Sequence, residues 1–293
     1  MPLTAILLYT IKISIVVTVI GLGLSATARE ATSLFRDPAR LFWSLVAMML
    51  IMPLFAILVA RTFDLDPPVK IALIALSVSP VPPIWPRRSL QSGGTQGFTM
   101  GLFVATALLS VVIVPIAIEI VQDVFGIPLS TSPFAVAKLA LVTVLAPLFA
   151  GVAIRRLWPR FAIRAARPVL NVGFVALILS LLPLLFRSWS AMSSLIGNGT
   201  LLTMIGFVIV GLGAGHVLGG PPPEDRLVLA LACASRHPAI ALAIATANFP
   251  NEKLEVPAIM LYLLVSAVTV TPYLSWNKRQ VQRAGHKPIM AVR

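Results

Sequence analysis

Apolar runs of about 20 residues, the length that crosses a bilayer as a helix, recur along the whole 293-residue chain. Backbone groups in hydrocarbon must satisfy one another, so such runs fold as membrane-spanning helices. The strands of a transmembrane barrel would instead read as about 10 residues of alternating polarity. Only 11% of the residues are charged and 58% are hydrophobic, a balance that soluble chains of this size do not show. The expectation is an all-α integral membrane protein.

Nine spans are expected, near 4–27, 41–60, 69–92, 97–121, 135–156, 168–186, 200–218, 226–248 and 256–276. Breaker clusters set these limits: Arg36-Asp37-Pro38, Asp66-Pro67-Pro68, Gly219-Gly220-Pro221-Pro222-Pro223 and Phe249-Pro250-Asn251. Ala26-Thr27-Ala28 has the look of a signal-peptidase site. The stretch before it lacks a basic start, carries Lys12 and is too long for a signal segment, so it reads as the first span.

The formal charge of +13 does not point to nucleic acid, because the basic residues sit in short loops between spans. Loops after odd-numbered spans and the C-terminal tail hold sixteen Lys and Arg, including Arg155, Arg156, Arg160, Arg164 and Arg167. The opposite side holds four: Arg61, Lys70, Arg187 and Lys253. This bias predicts an N-terminus outside and a cytoplasmic C-terminus, in the inner membrane for a bacterial chain. The basic tail, 278–293, is expected at anionic lipid headgroups. The single Cys233 permits no internal disulfide.

Two runs are broken where a membrane helix should be smooth. Ile74–Pro86 reads IALSVSPVPPIWP and Leu229–Ala241 reads LALACASRHPAIA. Pro83 and Pro238 are 155 residues apart; one helix later, Pro115 and Pro272 are 157 apart. The breaks fall in spans three and eight, an offset of five and so an odd number, which gives the two copies opposite topology. The halves would be 1–122, with four spans, and 134–277, with five. Interrupted segments at corresponding places in two inverted halves point to a transporter's midplane site. The breaks free backbone carbonyls and amides, tolerable only inside protein or beside water. Pro53, Pro115, Pro147, Pro183 and Pro272 read as ordinary kinks.

The second break and its continuation, ACASRHPAIALAIATANFP (Ala232–Pro250), resemble the second crossover helix of the bile acid:sodium symporter family. Gly21-Leu22-Gly23-Leu24, Ser79-Pro80 and the basic Gly-Gly loop ending at Gly94 fall where that family has its own features. The resemblance runs over nearly the whole chain and is specific in the second crossover. It implies an inverted-repeat transporter fold in which the two broken helices cross. A panel domain would comprise spans one, five and six, and a core domain spans two to four and seven to nine. It implies a nine-span member lacking the first helix of ten. Sodium-coupled members carry an acid and a Gln-Asn pair in the second crossover; here Ala232 and Arg236-His237 take those places. Trp85-Pro86 stands for a Ser-Asn pair in the first crossover; Thr99 matches one hydroxyl of the next helix, and Phe103 replaces another. Glu119 is the one acid read as inside or bordering a span.

Arg236 falls near mid-depth, where a charge is costly and marks a functional site by default. With the half-helix amides it is expected to bind the anionic group of a substrate. The other reading is that it pairs with carbonyls at the first break and locks the crossing. His237 is either a proton carrier or a neutral ring bonded to freed backbone. Ser235, Ser79, Pro80, Pro83 and Asn248 complete the expected substrate site, and Thr99 with His237 the ion-coupling one. Sodium, a proton or no ion are the alternatives for coupling; Na+ would draw on backbone carbonyls.

Lys12 and Lys138 are expected to snorkel, Thr271 to back-bond to its helix, and His216 to be structural. Neither HExxH, GxSxG, paired intramembrane acids nor a Cys/His cluster occurs, so no enzyme and no cofactor are expected. The function predicted is alternating-access transport of a small amphipathic organic anion. The alternative is a non-transporting receptor or structural subunit on the same scaffold.

Overall fold

A computed structural model describes residues 3–125, 141–249 and 251–283, with Phe134 and Lys138 besides. Most of the junction expected between the halves (123–133), from residue 126 on, lies outside the described residues, as do the start of the fifth span, Pro250 and the tail from residue 284.

Every described regular element is helical. Besides short turns of helix at Ala28–Ala31 and Ser33–Arg36 and a π-helical stretch at Leu141–Leu145, they are α1 (Leu3–Ser25), α2 (Pro38–Thr62), α3 (Pro67–Val78), α4 (Trp85–Gln91), α5 (Gln96–Phe125), α6 (Ala146–Leu157), α7 (Pro159–Arg187), α8 (Trp189–Ser194), α9 (Thr200–Leu218), α10 (Pro223–Ala234), α11 (Pro238–Asn248) and α12 (Glu255–Arg283). Among the described residues, six helical stretches are long and apolar enough to cross a membrane, with Tyr9–Ser25 and Pro67–Val78 as shorter apolar helices. The chain is therefore an all-α membrane protein.

Proline sets the starts. Pro38, Pro67, Pro159, Pro223 and Pro238 occupy first-turn positions, where a missing N–H costs nothing. Asp37 caps α2 by accepting the Arg40 N–H at 3.1 Å. Thr27 and Glu30 form a reciprocal capping box just after α1.

Two boundaries differ from expectation. Helix α7 starts at Pro159 rather than near residue 168. Pro168 removes one backbone donor without ending the helix, so Arg160, Arg164 and Arg167 lie exposed on its first turns instead of in a loop. Helix α12 runs on to Arg283, so the basic tail begins as helix.

α1 packs along both α7 and α6. Small residues let the backbones touch: a Cβ on Gly23 would stand 2.8 Å from the Gly151 Cα. The remaining long helices pack on one another, with α10–α11 innermost. Of the apolar window in Pro223–Asn248, 72% is buried, against 17% for α7. Gly211 and Gly215 of α9, with Gly219 just past its end, present one small face to α10, and a Cβ on Gly215 would fall 2.5 Å from the Ala230 N.

Side-chain bonds gather the loops into two ends. Arg40 donates to Asp225 at 2.7 Å and Thr95 donates to its other oxygen at 2.6 Å. These tie the starts of α2, α5 and α10. At the other end Asn198 donates to Asp66 at 3.4 Å.

Candidate functional site

Both expected breaks are real gaps in helix. α3 stops at Val78 because Ser79 precedes a proline and takes extended angles, φ −76° and ψ 146°. The chain stays irregular until α4 begins at Trp85. α10 stops at Ala234, Ser235 and His237 are extended, and α11 restarts at Pro238.

The gaps meet. The His237 N–H donates to the Pro80 carbonyl at 2.9 Å and to Ser79 Oγ at 3.1 Å. The Ser79 hydroxyl in turn donates to the Leu76 carbonyl at 2.8 Å. The freed carbonyl of Ala234 accepts from Tyr262 at 2.9 Å and Ser266 at 3.0 Å, both on α12. The orphan groups of two interrupted helices are thus satisfied by each other and by a neighbour.

Arg236 is fully buried at this crossing. Its Nη2 donates to the Ser77 carbonyl in the last turn of α3, and to the Met48 carbonyl at 2.6 Å. Each acceptor is available for a local reason. Ser77 is one of the last four residues of its helix, whose carbonyls have no intrahelical donor. Met48 sits in a π-helical stretch, Val46–Ile51, where its donor would be residue 53, a proline without N–H. Pro53, read from sequence as a plain kink, therefore supplies a ligand to the crossing. A cation against the C-terminus of α3 also meets the negative end of the helix dipole. Nε and Nη1 of Arg236 have no partner among the described residues, and the ion pairs found there do not involve it.

His237 is also buried. Its Nδ1 accepts from the Ile240 N–H at 3.4 Å, capping α11, while Nε2 has no partner among the described residues. An accepting Nδ1 leaves the proton on Nε2, the neutral tautomer.

Of the expected site residues, Ser79, Pro80, Arg236 and His237 come together, with Ser235 half-buried beside them and Pro83 buried in the first gap. Asn248 lies at the far end of α11, about 15 Å along the helix, and donates to the Ile244 carbonyl at 2.7 Å. The Thr99 hydroxyl stands 3.3 Å from that of Ser89 on α4. Cys233 is buried and free. Lys12 and Lys138 are exposed, and Lys12 lies over Tyr9. His216 Nδ1 is 2.9 Å from the Tyr273 hydroxyl, and Thr271 donates to the Ala267 carbonyl at 3.0 Å. Thr269 lines an apolar recess of about 270 Å3 with Trp189, Ile205 and Val268, apart from the crossing.

The reading of Glu119 as the one acid in or beside a span is corrected. Glu119 is exposed, whereas Asp225 and Glu255 are buried in the first turns of α10 and α12. The expected spans began one residue too late to include them. Sequence reasoning also passed over Arg87. This residue, counted as a loop charge, is on α4 and stacks on the Phe174 ring of α7 at 4.6 Å. It joins the broken-helix bundle to the α1–α6–α7 group.

The fold is that of an all-helical membrane protein in which two interrupted helices meet. The sequence model of the sodium bile acid symporter family matches residues 12–192, well over half of the chain. The protein belongs to that family. The match includes the first interrupted helix and ends before the second, where Arg236 and His237 stand. No curated protein matches the chain.

Proposed function

We propose that this protein is a secondary transporter that carries a small amphipathic organic anion by alternating access. The observation that carries the reading is the backbone bond from His237 to Pro80, which joins two helix gaps beside a buried guanidinium. Such a crossing frames a midplane site in transporters built from inverted repeats. We assign nine spans, counting α3–α4 and α10–α11 as one broken span each and the π-helical stretch Leu141–Leu145 with α6 as the fifth. The repeats are 1–122 and 134–277, with the N-terminus outside. The grouping of Arg40, Thr95 and Asp225 at one end, and Asp66 and Asn198 at the other, is what this topology requires.

The moving bodies are a panel of α1, α6 and α7 and a core of α2–α5 with α9–α12. The substrate's charged group would lie near the unpartnered edge of Arg236 and the first turn of α11, with apolar walls for the rest. His237, Ser235, Ser79, Pro80 and Pro83 shape that place. The panel–core seam, marked by Arg87 and Phe174, would open and close around it.

Uptake of labelled carboxylates and sulfonates into proteoliposomes tests this reading. Accumulation that falls in Arg236→Gln supports it. A protein whose melting temperature rises with such an anion, but which never moves label, is a receptor and overturns it.

A further inference from the structure

The sodium bile acid symporter family carries sodium in its name, and interrupted helices hold sodium through freed carbonyls and helix C-terminal ends. The residues at this crossing do not fit that ion. Of the freed carbonyls there, those of Pro80 and Ala234 accept from His237 and from Tyr262 and Ser266, respectively. Two others, Met48 from the π-helical stretch and Ser77 from the end of α3, are both taken by one nitrogen of Arg236. A free cation placed on them would meet a guanidinium in the same position, at the same sign of charge and out of reach of water. Among the described residues no carboxylate pairs with Arg236: the ion pairs found there join Arg40 to Asp37 and to Asp225. The Trp85 indole is also buried whole, at the start of α4 just after the first gap.

We infer that Arg236 is a tethered replacement for the coupling cation, so that the crossing is held together without sodium. The guanidinium does two jobs that a bound sodium ion would do. It gathers carbonyls from α2 and α3 onto the second gap, and it leaves one positive charge beside the substrate's anionic group. Three N–H bonds, on Nε and Nη1, remain for that group. A covalently held cation cannot travel with the substrate, so transport through this crossing draws no energy from a sodium gradient. The inference rests on the reading of the crossing as the transport site.

The test is thermal stability of the purified protein in detergent, in sodium chloride and in choline chloride at equal ionic strength. A bound ion stabilises by mass action, so the inference expects the wild type to melt at the same temperature in both salts. Arg236→Ala should melt several degrees lower and recover part of the loss in millimolar guanidinium or sodium. Arg236→Lys, which keeps a shorter cation, should fall between the two and remain indifferent to sodium. A wild type stabilised by sodium over choline overturns the inference, as does an Arg236→Ala protein that melts like wild type. If Arg236→Ala does not fold, the wild-type and Arg236→Lys arms still decide. Absent uptake with sodium-indifferent melting would sink the transport reading alone, and uptake with sodium-dependent melting would sink this inference alone.

Discussion

The backbone N–H of His237 lies 2.9 Å from the carbonyl oxygen of Pro80, across 157 residues of chain. It is a main-chain bond between two places where helices have been interrupted. Such a bond makes each gap the condition for the other. Filling either with regular helix would strand polar groups of its partner in a dry interior.

His237 should not carry a proton through the cycle. Its Nδ1 accepts the Ile240 N–H, and a protonated ring would present a second donor there. His237→Asn, which keeps a capping acceptor, is expected to leave the pH profile of uptake between neutral and mildly acidic values unchanged. His237→Ala should lower stability by about 1 kcal/mol through loss of the cap. A flattened pH profile in His237→Asn would restore the proton role.

Proline inside a helix ordinarily costs about 3 kcal/mol, so removing one should stabilise. Pro53→Ala should do the reverse here. The new N–H would compete with Arg236 for the Met48 carbonyl, weakening a charge-assisted bond worth about 1.5–3 kcal/mol. A lower melting temperature for Pro53→Ala is expected; a higher one contradicts the assigned role.

Asp225 is buried and accepts from Arg40 and Thr95 at once. The Arg40 side chain is 40% exposed, which weakens the ion pair. Asp225→Ala should therefore cost about 1–3 kcal/mol, mostly from the unpaired Thr95 hydroxyl left behind, since Arg40 keeps Asp37 at 3.0 Å. Asp225→Asn keeps an acceptor and should cost less. Thermal melts of the two variants give the order.

The α9–α10 contact depends on missing side chains. Gly215→Val would push into the Ala230 backbone and shift the helix that ends in the second gap. Overpacking of this kind costs about 1–3 kcal/mol. Gly213, whose Cβ would meet open space, is the control and should tolerate alanine.

Arg87 and Phe174 bridge the proposed panel and core at 4.6 Å. A cation–π contact of this exposure is worth about 0.5–2 kcal/mol. Arg87→Ala should change the rate of uptake more than the melting temperature, because the contact sits on the seam that must part. Equal uptake by Arg87→Ala and wild type would remove the seam from the transport path.

The membrane class, the all-helical architecture and the two gaps were legible in the sequence. Each follows from local causes: runs of apolar residues, and Ser79-Pro80 and His237-Pro238 with no way to continue a helix. Family membership was legible too, through residues spread along the chain. Less legible were helix ends such as that of α7, where an internal Pro168 reads as a boundary and is not one. The small face of Gly211, Gly215 and Gly219 was visible at four-residue spacing, a known packing signal, but what packs on it was not.

Sequence by itself determined that Arg236 would be buried in a membrane and would need oxygen acceptors, because a guanidinium in hydrocarbon has no alternative. Only the tertiary structure decided which acceptors it has. Met48 and Ser77 lie 188 and 159 residues away along the chain, and no local pattern records that a π-helical stretch and a helix end will converge on one nitrogen. Partner choice of this kind belongs to the packing of α2, α3 and α10, since a carbonyl becomes a ligand only once its own helix has failed to use it.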